Sequence, residues 1–255
     1  MFPKLTTEAR EFLARLEDKI EIVLERHQEQ VTEFVDPYLR KCAFHYLNKV
    51  TDINFSCFGG VNDAERQRIV ICPYYLEPQS EMANLSIIEF KGNLEHITYS
   101  HRDFLGALLG QGIKREKIGD IYLIDQGFVV IVSQELTDFL IYHSLKIKGI
   151  PLKAQKYEPG QWQPSKPPGK LINTTVSSLR LDTIVASGFG QSRTKVTGYI
   201  KGGKVKVNWQ VIEDLDYQCQ ENDVISFRGK GRIVISKVTG ETRKGRLKVT
   251  ITRYG

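Results

Sequence analysis

The residues in this chain best suited to chemistry are cations. Arg180, Arg193, Lys195, Lys201, Lys204, Lys206, Arg228 and Lys230 all lie between residues 180 and 230, interleaved with valine, glycine and serine. Such a pattern suits the phosphate backbone of a nucleic acid, because each cation can face outward while the small apolar residues build a core behind it. Residues 170–255 hold 16 of the 36 lysines and arginines but only 7 of the 30 aspartates and glutamates. The positive excess is therefore confined to the last third of the chain, and the rest is slightly acidic. A localised basic segment points to a polyanion, nucleic acid first and an anionic membrane surface second.

Within that segment, Leu181, Ile184 and Val185 give a short helix an apolar face that Ser187-Gly188 is expected to stop. A second helix is expected from Gln191-Ser192, with Val196, Tyr199 and Ile200 turned toward the first. Ser192 sits where a cap belongs. The open N–H groups at that helix start and the Arg193 side chain would converge on one phosphate. Gly202-Gly203 ends the helix, Lys204-Val205-Lys206-Val207 reads as a strand with lysines on one face, and Asn208-Trp209 makes a turn.

Other constellations are weaker. His101-Arg102-Asp103 has the order of a kinase catalytic loop, but no glycine-rich phosphate loop or Asp-Phe-Gly accompanies it. Asp103 reads better as a helix cap. His101, Arg102, Lys114 and Arg115 bracket that helix as a second RNA contact. Glu65-Arg66-x-Arg68 beside Gly59-Gly60 is balanced between a solvated charge run and a pair, Arg66 and Arg68, offered to RNA. Asp182 follows Arg-Leu as a catalytic aspartate does in some pseudouridine synthases; inside a helix pair it reads as a cap or ion-pair partner. Cys42, Cys57, Cys72 and Cys219 lack zinc spacing, as do His27, His45, His96 and His143, so no metal, cofactor or catalytic residue is expected. The best apolar run, 127–132, is far short of the ~18 residues of a membrane span, and the first ten residues lack the apolar core of a signal peptide. A soluble cytoplasmic monomer is the expectation.

Hydrophobic periodicity supplies the elements that must position these groups. Helices are expected over 7–30, from Asp36-Pro37 through Leu47, over 101–110 and over 136–147. Strands are expected at 53–58, 68–73, 84–90, 121–124, 128–132 and 152–157. The architecture is α+β in three parts: an N-terminal α+β unit at 1–82, a ferredoxin- or RRM-like unit at 83–157, and a basic domain at 172–255. A Pro/Gly-rich linker at 158–171 separates the last of these, with Trp162 expected to dock on a neighbouring surface rather than stack on a base.

Two resemblances extend this reading. Arg180-Leu181-Asp182, Ser192-Arg193, Ile200, Gly203, Val205 and Val207-Asn208 match, in order and spacing, the RNA-binding domain named after ribosomal protein S-four, the alpha-L motif. The match runs from about residue 178 to 237, and Trp209 departs from the glycine usual after the asparagine. It implies binding of structured RNA by the helix pair and following loop, with Arg180, Ser192, Arg193 and Asn208 in the contact. Gly59-Gly60-x-x-x-Ala64-Glu65-Arg66-x-Arg68 and the run from His101 through Ile121 resemble bacterial proteins of the YlmH type, and the likeness covers nearly the whole chain. A cyanobacterial branch of that family carries a photosystem II label. The resemblance implies a non-enzymatic factor that contacts rRNA or tRNA on the large ribosomal subunit in ribosome-associated quality control, without DNA specificity or a membrane partner. The competing expectation is an RNA-modifying enzyme, a pseudouridine synthase or methyltransferase, carrying the same module as an accessory. No Gly-rich cofactor loop or spare acid/base pair supports it.

Overall fold

The computed structural model describes residues 5–158, 160–165 and 169–254, so residues 159 and 166–168 of the expected linker lie outside the described residues. The chain divides into two compact units, Met1–Pro164 and Ser165–Gly255, and the two expected N-terminal parts share the first.

The first unit begins with helix α1 (Thr7–Arg26), whose Ala9, Phe12, Leu16, Ile20 and Val23 recur at the spacing of one helical face and are buried. The Thr6 hydroxyl accepts from the Ala9 N–H at 3.1 Å, satisfying one of the open donors at the helix start. His27 takes a left-handed φ of 54° and ends the helix short of residue 30. The freed Gln30–Val31 becomes a short strand, β1. Helix α2 (Pro37–Leu47) starts as expected, with Asp36 Oδ1 accepting from the Leu39 N–H at 2.9 Å. Strands β2 (Ile53–Phe58) and β3 (Arg68–Pro73) complete an antiparallel sheet ordered β1-β3-β2, which packs against both helices.

Strand β4 (Leu85–Lys91), helix α3 (His101–Gly110), strands β5 (Ile118–Ile124) and β6 (Gly127–Ser133), helix α4 (Thr137–Tyr142) and strands β7 (Leu145–Ile147) and β8 (Ile150–Tyr157) follow. Their sheet is ordered β5-β6-β4-β8-β7 with every neighbour antiparallel. Without β7 this is the split βαβ order expected. The expected helix over 136–147 stops at Tyr142, because Lys148 and Gly149 both take positive φ and close a two-residue hairpin that draws Leu145–Ile147 into the sheet. One face of this sheet lies under α3 and α4, with Ile88, Phe90, Phe104, Leu108, Phe128, Val130 and Val132 buried between them. Phe34 is buried with Ile87, Val129 and Ile131 of the other face, with Tyr122, Tyr157 and Trp162 packed around them.

The second unit holds strand β9 (Lys170–Val176), helices α5 (Leu181–Phe189) and α6 (Arg193–Lys201), and strands β10 (Val205–Val207), β11 (Gln210–Val211), β12 (Val224–Phe227), β13 (Gly231–Glu241) and β14 (Leu247–Tyr254). Its antiparallel sheet runs β11-β10-β12-β13-β14-β9. Val205, Val207, Ile225, Phe227, Ile233, Ile235, Val249 and Ile251 form its inner layer against the two helices. Gly188 does not stop α5. A Cβ there would lie 2.5 Å from Ile233 Cδ1, so the missing side chain lets the helix settle onto the sheet. The stop is Gly190, at φ +62°.

Candidate nucleic-acid interface

The helix pair is held by a buried carboxylate. The side chain of Asp182, 6% exposed, accepts from Arg193 Nη2 at 2.6 Å, from Arg180 Nε at 3.3 Å and from the Thr183 hydroxyl at 3.1 Å. Burial alone would push this carboxyl up, but those hydrogen bonds outweigh it and hold it below the usual carboxylate range. Arg180 also pairs with Asp216. The two arginines are thus balanced by two carboxylates. Arg193 keeps about half its side chain exposed and is aimed by Asp182 from behind. Ser192 stands at the cap position, exposed, and its hydroxyl makes no capping bond.

Among the described residues, cations without an ion-pair partner lie further along. Lys195 and Lys201 are exposed on α6, whose Val196 and Ile200 are buried. Lys204 Nζ lies 5.1 Å from the centre of the Tyr199 ring, a contact that orients the ammonium without neutralising it. The Arg228 N–H donates to the Lys204 carbonyl at 2.9 Å, which places the turn carrying Arg228 and Lys230 beside the end of α6. Lys206 is exposed between buried Val205 and Val207, as the alternation requires. Asn208 is committed elsewhere: its Nδ2 donates to Asp223 Oδ1 at 2.7 Å and its Oδ1 accepts from the Val224 N–H at 3.0 Å. Asn208 and Trp209 both take positive φ, 47° and 68°, as a two-residue hairpin demands.

In the first unit the expected contact residues separate. His101, Arg102 and Lys114 are exposed. Ser100 donates to Asp103 Oδ2 from both its N–H, at 2.8 Å, and its hydroxyl, at 2.7 Å, so Asp103 caps α3 as expected. Arg115 donates to the carbonyls of Ile118 and Gly119, and burial beside Arg66 pushes its guanidinium down to about 10. Arg66 donates to Ile118 O at 3.0 Å and Phe34 O at 2.8 Å. Arg68 is 6% exposed and donates to Thr32 O, Ala83 O and Asn84 O at 2.7, 2.9 and 3.1 Å. Arg66 and Arg68 fasten the N-terminal sheet to the middle sheet, while Arg115, expected at RNA, is half-buried and braces the start of β5 instead. Arg66 and Arg68 are therefore corrected from RNA contacts to internal ties, because carbonyls already occupy their donors. Asp120, which the sequence reading passed over, completes the junction by accepting the N–H groups of Glu65 at 2.6 Å and Arg66 at 3.2 Å.

Known proteins resemble this chain along most of its length. Residues 8–76 match the family described as "YlmH, N-terminal", residues 78–159 "Putative RNA-binding domain in YlmH", and residues 179–225 "S4 domain". The chain is 33% identical over 232 residues, 91% of its length and 90% of the relative's, to "Ribosome-associated protein quality control protein P2" of Bacillus subtilis (strain 168). The chain belongs to the YlmH family. The structure called "Cell division protein ylmH from Streptococcus pneumoniae" superposes with a TM-score of 0.52 at 23% identity, covering 62% of this chain and 96% of that one. That likeness shows the fold.

In this YlmH-family chain the sheet within 78–159 has both faces packed, one by α3 and α4 and the other by Phe34 and Trp162. Trp162 docks as expected, its ring 5.2 Å from that of Tyr122. Exposed cations of that part include Arg102 on α3 and Lys114 in the loop after it, with Lys91, Lys146, Lys148, Lys153 and Lys156 on or beside β4, β7 and β8. Among the described residues no group of three or more His, Cys, Asp or Glu is placed to hold a metal, and no helix is long and apolar enough to cross a membrane. Burial pushes the thiols of Cys57 and Cys219 up to about 11 and 12, making them poor nucleophiles.

Proposed function

We propose that this chain is a non-catalytic RNA-binding factor that contacts rRNA or tRNA, on the large ribosomal subunit, in ribosome-associated quality control. The observation that carries the reading is the cluster of uncompensated cations on α6 and beside its end, Lys195, Lys201, Lys204, Arg228 and Lys230, on a rigid helix pair. Arg193 adds an oriented guanidinium and Lys206 extends the charge along β10. His101, Arg102 and Lys114 offer a second, smaller contact. The full-length likeness to a ribosome-associated quality control protein supports the ribosome as the site of action. Asp182 has no catalytic part in this reading, since its oxygens are engaged by Arg193, Arg180 and Thr183.

Lys195→Glu with Lys204→Glu tests the reading without disturbing Asp182, as reversal of Arg193 would. Co-sedimentation with ribosomes and separated subunits across a salt series should show the parent pelleting with the large subunit. Log affinity for each phosphate contact should fall by roughly 0.7–0.9 per decade of salt. The double variant should bind at least ~10-fold more weakly with a shallower salt slope. Equal pelleting of parent and variant at every salt concentration would overturn the assignment.

A further inference from the structure

The end of β3 carries an aromatic surface that the RNA contacts leave unused. Pro73 to Leu76 form a tight turn, in which the Leu76 N–H donates to the Pro73 carbonyl at 2.9 Å. The turn is held from several sides. The Tyr74 N–H donates to Asp52 O at 3.1 Å, and Cys72 Sγ donates to Leu76 O at 3.3 Å. Asn54 Nδ2 donates to Tyr74 O at 2.8 Å and to Leu76 O at 2.9 Å. Asn54 lies on β2 directly opposite Cys72, so the sheet itself supplies the brace.

On this braced turn stand two tyrosines turned to solvent, Tyr74 63% and Tyr75 56% exposed. Their rings meet edge to face at 5.4 Å, and the exposed His27 ring lies 6.1 Å from that of Tyr75. Neither tyrosine joins a buried cluster, so the core does not account for them. Large exposed aromatics on a backbone already fixed lose little freedom on binding, which is what an anchor of a protein–protein contact needs. The surrounding charge selects the partner. From Ile69 through Ile88 the chain holds Glu77 and Glu81 and no lysine or arginine. Burial first, then the charges of Glu77 and Glu29, push the Cys72 thiol up, which places both exposed carboxylates near the turn. The negative end of the α1 macrodipole lies at His27, with Glu25 and Glu29 against Arg26. Such a field repels a phosphate, whereas a cationic side chain is drawn to the carboxylates and to the faces of the rings.

We propose that Tyr74 and Tyr75, with His27 and the flanking Glu29 and Glu77, form a docking surface for an arginine- or lysine-rich protein segment. It belongs to the first unit, whereas the cations of α6 belong to the second. The proposal stands independently of the RNA-binding reading and adds a protein partner to it.

The full chain is titrated with a fluorescein-labelled peptide of alternating arginine and glycine, and with the same peptide carrying glutamate in place of arginine. The parent should bind the arginine peptide and not the glutamate one. Tyr74→Ser with Tyr75→Ser should weaken that binding by roughly 10-fold, the size of two cation–π contacts at an exposed site. Tyr74→Phe with Tyr75→Phe should keep it within about twofold, since the ring face and not the hydroxyl makes the contact. Glu29→Gln with Glu77→Gln should weaken it and flatten its salt dependence. All four side chains are exposed, so each double variant should unfold thermally with the parent. Oligouridylate binding, measured in parallel, should be equal in the parent and the Tyr74→Ser, Tyr75→Ser variant. Arginine-peptide binding that is absent, or equal in the parent and that variant, would overturn the proposal. So would a loss of oligouridylate binding in that variant, which would give the surface to RNA.

Discussion

Asp182 shows how far a single residue can be understood from its neighbours in sequence. Arg180 and Asp182 are adjacent enough to suggest an ion pair, but the third member, Arg193, arrives from the next helix. The consequence is a pH dependence. A carboxyl held below its unfolded value, near 3.9, stabilises the fold fully above that value, and the contribution disappears as pH falls through the lowered folded value. The second unit should therefore lose stability below about pH 5. Asp182→Asn should cost about 2 kcal/mol at pH 7 and flatten the acid limb of a stability-versus-pH curve. The same acid limb in variant and parent would contradict this account. Residue type left Arg66 and Arg68 balanced between a solvated charge run and RNA contacts, and both are engaged within the protein.

At the scale of elements, periodicity located most helices and strands, while their ends depended on backbone freedom at single positions. The α1 terminus at His27 and the hairpin at Lys148-Gly149 both rest on positive φ, which a hydrophobic pattern does not encode. Gly188 is the sharper case. Glycine after serine signals a helix stop in sequence, yet in α5 it marks where the helix meets β13. Gly188→Ala would place a methyl 2.5 Å from Ile233 Cδ1, and this overpacking should cost about 1–2 kcal/mol despite alanine's better helix propensity. Ile233→Val removes the opposing methyl, so the double variant should be more stable than the sum of the two single losses predicts. A double-mutant cycle by urea unfolding checks this, and strict additivity would mean that the helix does not press on the sheet there.

For the whole molecule, the decisive ties are the guanidiniums between the two sheets of the first unit. Arg68→Met would leave the carbonyls of Thr32, Ala83 and Asn84 without their charged donor, at a cost of about 3 kcal/mol. Urea unfolding followed by Trp162 emission, in a Trp209→Phe background, should show an earlier midpoint. RNA affinity under native conditions should stay within about twofold if the second unit carries it. An unmoved midpoint would deny Arg68 its structural part. The sequence by itself determined the α+β class, the confinement of positive charge to the last third and the helix-turn-helix-strand order of the basic module, because these follow from local spacing and composition. Only the tertiary structure decided which cations stay available to a partner. Whether a guanidinium faces solvent or a row of carbonyls depends on segments far apart in the chain meeting at one point, as Thr32, Arg68 and Ala83 do, and no local pattern carries that information.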